Sequence, residues 1–172
     1  MTFVEAITQT IPQTIPQTVL IGIGATAVMD AWLMLLKRMG VQTLNFAFIG
    51  RWAGHLFRGT FFHPSIGKAE PIPGELALGW FTHYATGIAF AGLLVGLQGA
   101  GWMRDPSVLP ALAVGLCTVA APLLVMQPAM GLGVAASKTP APLKNCLRSM
   151  TNHTVFGLGL YLSAVAVAWI FH

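Results

Sequence analysis

Four long apolar segments constrain the fold of this chain more than any other feature of its sequence. They cover about residues 19–36, 76–97, 108–130 and 151–171. Each is near the roughly 20 residues that an α-helix needs to cross the hydrocarbon core of a bilayer. Backbone amides find no water there, so each segment is expected to form a helix that satisfies its own hydrogen bonds. The sequence therefore predicts an all-α integral membrane protein, a four-transmembrane-helix bundle in a single domain over residues 1–172.

The composition excludes a soluble alternative. The chain is 55% hydrophobic and only 8% charged, whereas a soluble domain carries about 25% charged residues. A soluble helical protein would also need short amphipathic helices, and the apolar segments here are long and continuous. We therefore expect the lipid bilayer to be the principal partner of this chain.

The basic residues predict the orientation of the bundle. They concentrate in the loop after the first span (Lys37, Arg38, Arg51, Arg58, Lys68) and the loop after the third (Lys138, Lys144, Arg148). These loops share one face, which leaves only Arg104 on the other side. Positive charge favours the cytoplasmic face, so both loops are expected in the cytoplasm and both termini outside. This topology explains the net charge of +4 and gives no support for nucleic-acid binding.

The cytoplasmic loop, residues 37–75, is too long for a simple turn and contains a helical pattern. Its apolar face comprises Phe48, Ile49, Trp52 and Leu56, and its polar face comprises Arg51, His55 and Arg58. This pattern predicts an amphipathic helix lying in the membrane interface between spans 1 and 2. Asn45 is the expected N-cap, and His63 with the following proline is expected to end the helical stretch.

Three ionisable residues, Asp30, His83 and His153, lie inside three different apolar segments. An Asp at the centre of a span costs roughly 2.5–3.5 kcal/mol on insertion scales, so such residues usually face the bundle interior and pair. With a helix rise of about 1.5 Å per residue, the three lie roughly 10, 12 and 7–8 Å from the cytoplasmic interface. We therefore expect them to converge, with Asn152 beside His153, in the cytoplasmic half of the bundle.

A carboxylate beside an imidazole makes the protonation of that imidazole sensitive to its surroundings. The cluster therefore suits binding or conduction of a small solute, an ion or a proton. The opposing interpretation is structural, because buried polar contacts between helices also act as glue worth about 0.6–2 kcal/mol per hydrogen bond. Small residues four apart on the spans would serve such packing, and they equally permit a homo-oligomer.

A metal or haem site is a further alternative. Two histidines and a carboxylate suit a transition metal, with His55, His63 and Glu75 as additional candidate ligands. His83 and His153 would instead hold a haem iron from both sides. Arg51 and Arg58 would then lie near the haem propionates. An enzyme is the least favoured class, because no nucleophile triad, paired catalytic carboxylates or phosphate-binding glycine loop is present in the sequence.

Three segments resemble an uncharacterised family of small bacterial inner-membrane proteins, grouped as a domain of unknown function. They are GIGATAVMDAWLMLLKRMG, GRWAGHLFRGTFFHPSI and GELALGWFTHYATGIAFAGLL, and NHTVFGLGLYL is similar but less distinctive. The resemblance covers nearly the whole chain from about Gly22. It implies four spans in a bacterial inner membrane, and it implies no activity, cofactor or site residue.

Overall fold

The structure is a computed structural model that describes the backbone of residues 3–171 and the side chains of residues 14–171. It is helical throughout, with no strand among the described residues. The α-helices are α1 (Phe3–Arg38), α2 (Phe46–Leu56), α3 (Glu75–Gln98), α4 (Val108–Cys117), α5 (Gln127–Ala129) and α6 (Pro142–Phe171). Short 3₁₀ turns occur at Ile66–Lys68, Ala100–Met103 and Val134–Ala136. The predicted all-α fold is confirmed.

Four helical stretches are long and apolar enough to cross a membrane. They are Thr14–Arg38, Glu75–Gln98, Val108–Ala129 and Pro142–Phe171. Large apolar side chains cover their outer faces, with Phe81, Leu109 and Trp169 exposed by 71%, 75% and 90%. A water-soluble protein rarely exposes apolar surface on this scale. The chain is therefore a multi-pass membrane protein, and its outer surface is suited to lipid.

Two of the helices extend beyond the predicted spans. The first helix continues to Arg38, and the fourth begins at Pro142 instead of residue 151. Residues 142–150 include basic and polar side chains, so hydropathy falls while the helical hydrogen bonding continues. Proline suits the first turn of a helix because its missing N–H has no intrahelical partner there.

The third span is interrupted in its second half. After α4, residues Ala121–Met126 form a π-helical segment that leads directly into α5. Pro122 and Pro128 lie in this stretch. Proline supplies no N–H and crowds the carbonyl one turn back, which disrupts regular α-helical bonding. The interruption gives this span an irregular inner surface.

The spans pack closely because small residues face one another. Helix α6 contacts both α1 and α4, and α1 also contacts α3. A Cβ added at Gly115 on α4 would lie 2.5 Å from the Cα of Gly157 on α6. Such backbone approach is what small residues at helix interfaces allow. The completely buried Ile21, Leu94 and Leu160 fill the core between these helices.

Helix α2 packs against the first turns of α3. Asn45 caps it as predicted, since its Oδ1 accepts a hydrogen bond from the Ala47 amide at 3.0 Å. The helix ends at Leu56, so the expectation that it continues to His63 was wrong. The chain beyond it instead joins the end of the third span, where the His63 amide donates to the Ala129 carbonyl at 2.8 Å. We call this end of the bundle, where α1 finishes and α3 and α6 begin, the loop end.

Candidate functional site

Asp30 on α1 is paired by two side chains of α3. His83 Nε2 lies 2.8 Å from Asp30 Oδ1, and the Tyr84 hydroxyl donates to Asp30 Oδ2 at 2.9 Å. Both members of the Asp30–His83 pair are largely buried, with side chains 13% and 11% exposed. The rings of Phe46 and Trp80 pack beside the His83 imidazole. The carboxylate thus lies in the bundle interior with each oxygen bonded.

His153 is not hydrogen-bonded to this pair. Its Nδ1 lies 3.0 Å from Thr118 Oγ1, and that hydroxyl donates to the Gly115 carbonyl at 2.6 Å. Because the hydroxyl proton is used there, Nδ1 is the donor of the imidazole contact. Neighbouring Asn152 accepts a 3.0 Å hydrogen bond from Trp32 Nε1. The four predicted residues therefore form separate polar contacts, Asp30–His83 on one side and Asn152 and His153 on the other.

A cavity of about 600 Å³ connects these contacts. It lies among α1, α2, α3, the interrupted third span and α6. Its walls are mostly apolar, contributed by residues such as Met29, Leu33, Phe90, Val125, Met126 and Phe156. His83, Asn152 and His153 all line it, although Asp30 does not. Small-molecule sites commonly have volumes of ~300–1,000 Å³ and apolar walls with a few polar groups.

Gln127 supplies an unpaired acceptor at this cavity. It follows the π-helical segment, lines the cavity and is only 8% exposed. Its Oε1 has no hydrogen-bond partner among the described residues, and its Nε2 reaches Ser149 Oγ only at 3.5 Å. A buried acceptor left without a donor costs about 1–3 kcal/mol. A donor inside the cavity would remove this cost.

His83 also retains hydrogen-bonding capacity. Asp30 engages its Nε2, and Nδ1 makes no hydrogen bond among the described residues. With Nε2 donating to the carboxylate, Nδ1 of the neutral ring is an acceptor. The polar groups of the cavity therefore include the acceptor Gln127 Oε1 and, when the imidazole is neutral, a second acceptor at His83 Nδ1.

Arg51 on α2, predicted to lie on the polar face of an interfacial helix, is buried and points into the protein. Its guanidinium makes a bidentate ion pair with Glu75, with Nε–Oε2 and Nη2–Oε1 distances of 2.8 Å. Nη1 also donates to the Ile66 and Ala69 carbonyls. Hydrogen bonding to the carboxylate raises the pKa of Arg51. These contacts fasten α2 to α3, and they leave neither Arg51 for a haem propionate nor Glu75 for a metal.

His55, predicted on the same polar face of the helix, is also buried. Its Nδ1 lies 2.8 Å from His63 Nε2, which ties the end of α2 to the following loop. His63 is equally buried, and its Nδ1 has no partner among the described residues. Arg58 is the exception among the predicted interfacial residues, because it lies beyond the end of α2 and is exposed.

The metal alternative gains no support from this arrangement. Over the described part of the chain, no three His, Cys, Asp or Glu side chains lie close enough to hold a metal ion. His55 and His63 contact each other directly, and His83 and His153 each have one ring nitrogen engaged elsewhere. The arrangement of the described residues therefore favours neither a metal site nor a haem site.

Several contacting residues were missed from the sequence. Tyr84, Trp32 and Thr118 are absent from the site that the sequence predicts. Each pairs with a residue on another helix. Such partners depend on how the helices are rotated against each other, which the local sequence pattern does not specify. The only usable signal was for Tyr84, which directly follows His83 at nearly the same depth, although about 100° further around α3.

The fold and the cavity define the class, a small four-helix membrane protein with an internal polar-edged cavity. The chain belongs to the family described as "Protein of unknown function (DUF2938)", whose model matches residues 19–167. No significant match was found among the curated proteins or among the solved structures. The family membership agrees with the resemblance seen in the sequence, and it assigns no activity.

Proposed function

We propose that this protein binds a small amphiphilic molecule in the cavity among its spans. The observation that carries the proposal is Gln127 Oε1, a buried acceptor without a partner among the described residues, in a residue that lines a cavity with largely apolar walls. The apolar walls favour a ligand with an apolar body, because burying apolar surface against them removes it from water. The unpaired acceptor favours a ligand that also carries a hydroxyl or amino donor.

The Asp30–His83 pair would orient the second acceptor. Asp30 Oδ1 would accept from His83 Nε2 and hold the imidazole in one tautomer, while Oδ2 accepts from the Tyr84 hydroxyl and fixes the carboxylate. A ligand donor would then meet Nδ1 of His83 while a second donor, or the same one, meets Gln127. Asn152 and His153 contribute polar edges from α6. From the sequence-based prediction that the cluster binds or conducts a small solute, an ion or a proton, we propose binding of a small solute.

We further propose an orientation for this site. The positive-inside rule favours the loop end as the cytoplasmic side, because Lys37, Arg38 and Lys138 lie there. Both termini would then lie outside, in the periplasm of a bacterium whose inner membrane holds the protein. On this proposal the chain forms a single transmembrane domain, and the cavity lies in its cytoplasmic half.

The proposal is testable by thermal unfolding of the purified protein in phosphatidylcholine nanodiscs, followed by tryptophan fluorescence. The probe is 1-decanol, which has a hydroxyl donor and an apolar chain. A ligand bound only by the folded state stabilises it by RT ln(1 + [L]/Kd). Near-saturating decanol should therefore raise the unfolding midpoint of the wild type by about 5 °C.

Two neighbouring residues provide a matched pair of variants. Val125 and Leu124 are exposed to a similar degree, 58% and 59%, but only Val125 lines the cavity. Val125→Trp should fill the cavity and abolish the decanol-dependent rise, while Leu124→Trp should keep it. If decanol shifts the wild type and both variants equally, it acts through the bilayer and the proposed function is wrong.

A further inference from the structure

The cavity has a strong charge asymmetry. Among the described residues that line it, Arg148 is the only Lys, Arg, Asp or Glu. Arg148 lies on α6 near the loop end and is partly exposed. A single cation beside largely apolar walls, with no acidic lining residue to offset it, attracts negative charge. The cavity is thus complementary to an anion at its loop end.

Arg148 has most of its donors unused. Nη1 donates to the Gln42 carbonyl at 2.8 Å, and no carboxylate lies within ion-pair distance among the described residues. A guanidinium carries five N–H donors in a rigid fork that matches the oxygens of a carboxylate or phosphate. The fixed contact to Gln42 orients this fork and leaves room for a second acceptor.

The described cavity residues around Arg148 are polar, and none of them is acidic. Asn145 and Ser149 line the same end of the cavity, and the Asn145 amide donates to Thr139 Oγ1 at 2.9 Å. Along α6 the lining continues through the polar Asn152 and His153 and ends at the aromatic Phe156, eight residues from Arg148. This separation corresponds to roughly 12 Å along the helix axis. The cavity therefore runs from a cationic end to an aromatic end.

We propose that the occupant is an anionic amphiphile that also carries a hydroxyl donor for Gln127, with a head group such as a carboxylate at Arg148 and its apolar body directed toward Phe90 and Phe156. This inference rests on the proposed function and adds the chemical class of its ligand. Charge-assisted hydrogen bonds to Arg are stronger than neutral ones and frequently bidentate. The anionic head should therefore contribute a large share of the binding, whereas the neutral alcohol of the same length lacks that contribution.

The test compares decanoate with 1-decanol in the same nanodiscs, using the unfolding midpoint at increasing probe concentration to obtain an apparent Kd. Each probe is compared with itself across variants, because the two partition differently into lipid. Arg148→Gln should raise the apparent Kd of decanoate about tenfold, the effect of losing ~1.4 kcal/mol. It should leave the apparent Kd of decanol unchanged.

Lys144→Gln is the matched control. Lys144 is one turn away on α6, is exposed and does not line the cavity. If Lys144→Gln weakens decanoate as much as Arg148→Gln does, the effect is one of surface potential and the inference is overturned. The inference is also overturned if Arg148→Gln leaves decanoate binding unchanged. The proposed function fails separately, when Val125→Trp leaves the binding of both probes intact.

A second pair of variants protects the test against misfolding of Arg148→Gln. Arg148→Lys keeps the charge and should retain most of the decanoate affinity. Asn145→Asp places a carboxylate beside the proposed head group and should weaken decanoate selectively through like-charge repulsion. Equal decanoate affinity in the wild type and Asn145→Asp would contradict the placement of the anionic head.

Discussion

The Tyr84 hydroxyl donates to Oδ2 of Asp30 at 2.9 Å, on the oxygen opposite the one that His83 contacts. Two consecutive residues of α3, His83 and Tyr84, thereby hydrogen-bond to the two oxygens of one carboxylate on α1. This contact fixes the rotation and depth of α1 against α3. It also explains how an acidic side chain is accommodated in the interior of a membrane bundle.

We expect Asp30→Ala to destabilise the protein by about 1–3 kcal/mol, because it leaves two buried donors without an acceptor. Tyr84→Phe removes one of these donors and should cost about 0.6–1.7 kcal/mol. The double variant should lose less than the sum of the two, since Tyr84 has no partner once Asp30 is gone. Unfolding in mixed micelles measures all three. Strict additivity would show that the Tyr84–Asp30 contact contributes nothing.

The contact between α4 and α6 requires a glycine at position 115. We expect Gly115→Ala to destabilise by about 1–3 kcal/mol, because its Cβ would overlap the backbone of Gly157. Gly92→Ala is the control, since no atom lies within 4 Å of a Cβ built there. That change should be neutral or stabilise by up to about 1 kcal/mol through helix propensity. Equal destabilisation by both changes would contradict the close approach of the two helices.

The Arg51–Glu75 ion pair should contribute more to the stability of the folded protein than an exposed charge on the same loop. Removing one partner of a buried ion pair typically costs about 3–5 kcal/mol, because the other charge stays buried and unpaired. We therefore expect Arg51→Gln to destabilise on that scale and Arg58→Gln to change stability by less than about 0.5 kcal/mol. Limited proteolysis between α2 and α3 should accelerate only in Arg51→Gln. Similar behaviour of the two variants would place Arg51 outside the packing of α2.

Ala135 adopts a left-handed backbone conformation, with φ 49° and ψ 40°. This conformation costs a residue with a Cβ about 1–2 kcal/mol, and glycine avoids the cost. After the extra freedom of glycine in the unfolded chain is subtracted, Ala135→Gly should stabilise the protein by about 0.5 kcal/mol. Ala85→Gly, at an exposed position within α3, should destabilise it by about 0.5–1 kcal/mol. Thermal unfolding gives the sign of each change, and destabilisation by Ala135→Gly would contradict the strain.

The membrane fold follows from the sequence because long apolar segments admit few alternatives in lipid. The Asn45 cap and the helix after it were equally accessible, since capping depends on local residues. The hydropathy pattern of α2 did not predict that its polar side chains would be buried. Arg51 and His55 looked like solvent-facing residues, and only the position of Glu75 and His63 across the loop makes their burial favourable.

The site was less predictable than the fold for a related reason. Depth along a helix follows from counting residues, so Asp30 and His83 were expected at one level and lie in contact. The direction in which His153 points depends on the packing of α4 against α6, where Thr118 Oγ1 accepts a hydrogen bond from His153 Nδ1. The cavity is lined by residues of several elements, including the interrupted third span, and no residue pattern specifies an empty volume.

The central claim is that the cavity binds a small amphiphile, and photolabelling tests it most directly. The protein in nanodiscs would be irradiated with a diazirine derivative of decanol, and the adducts would be located by mass spectrometry. We expect adducts on residues of the cavity, such as Met126 and Asn152, that excess decanol suppresses and that Val125→Trp removes. Adducts confined to outward-facing residues such as Phe81 and Trp169, and unaffected by excess decanol, would contradict the account.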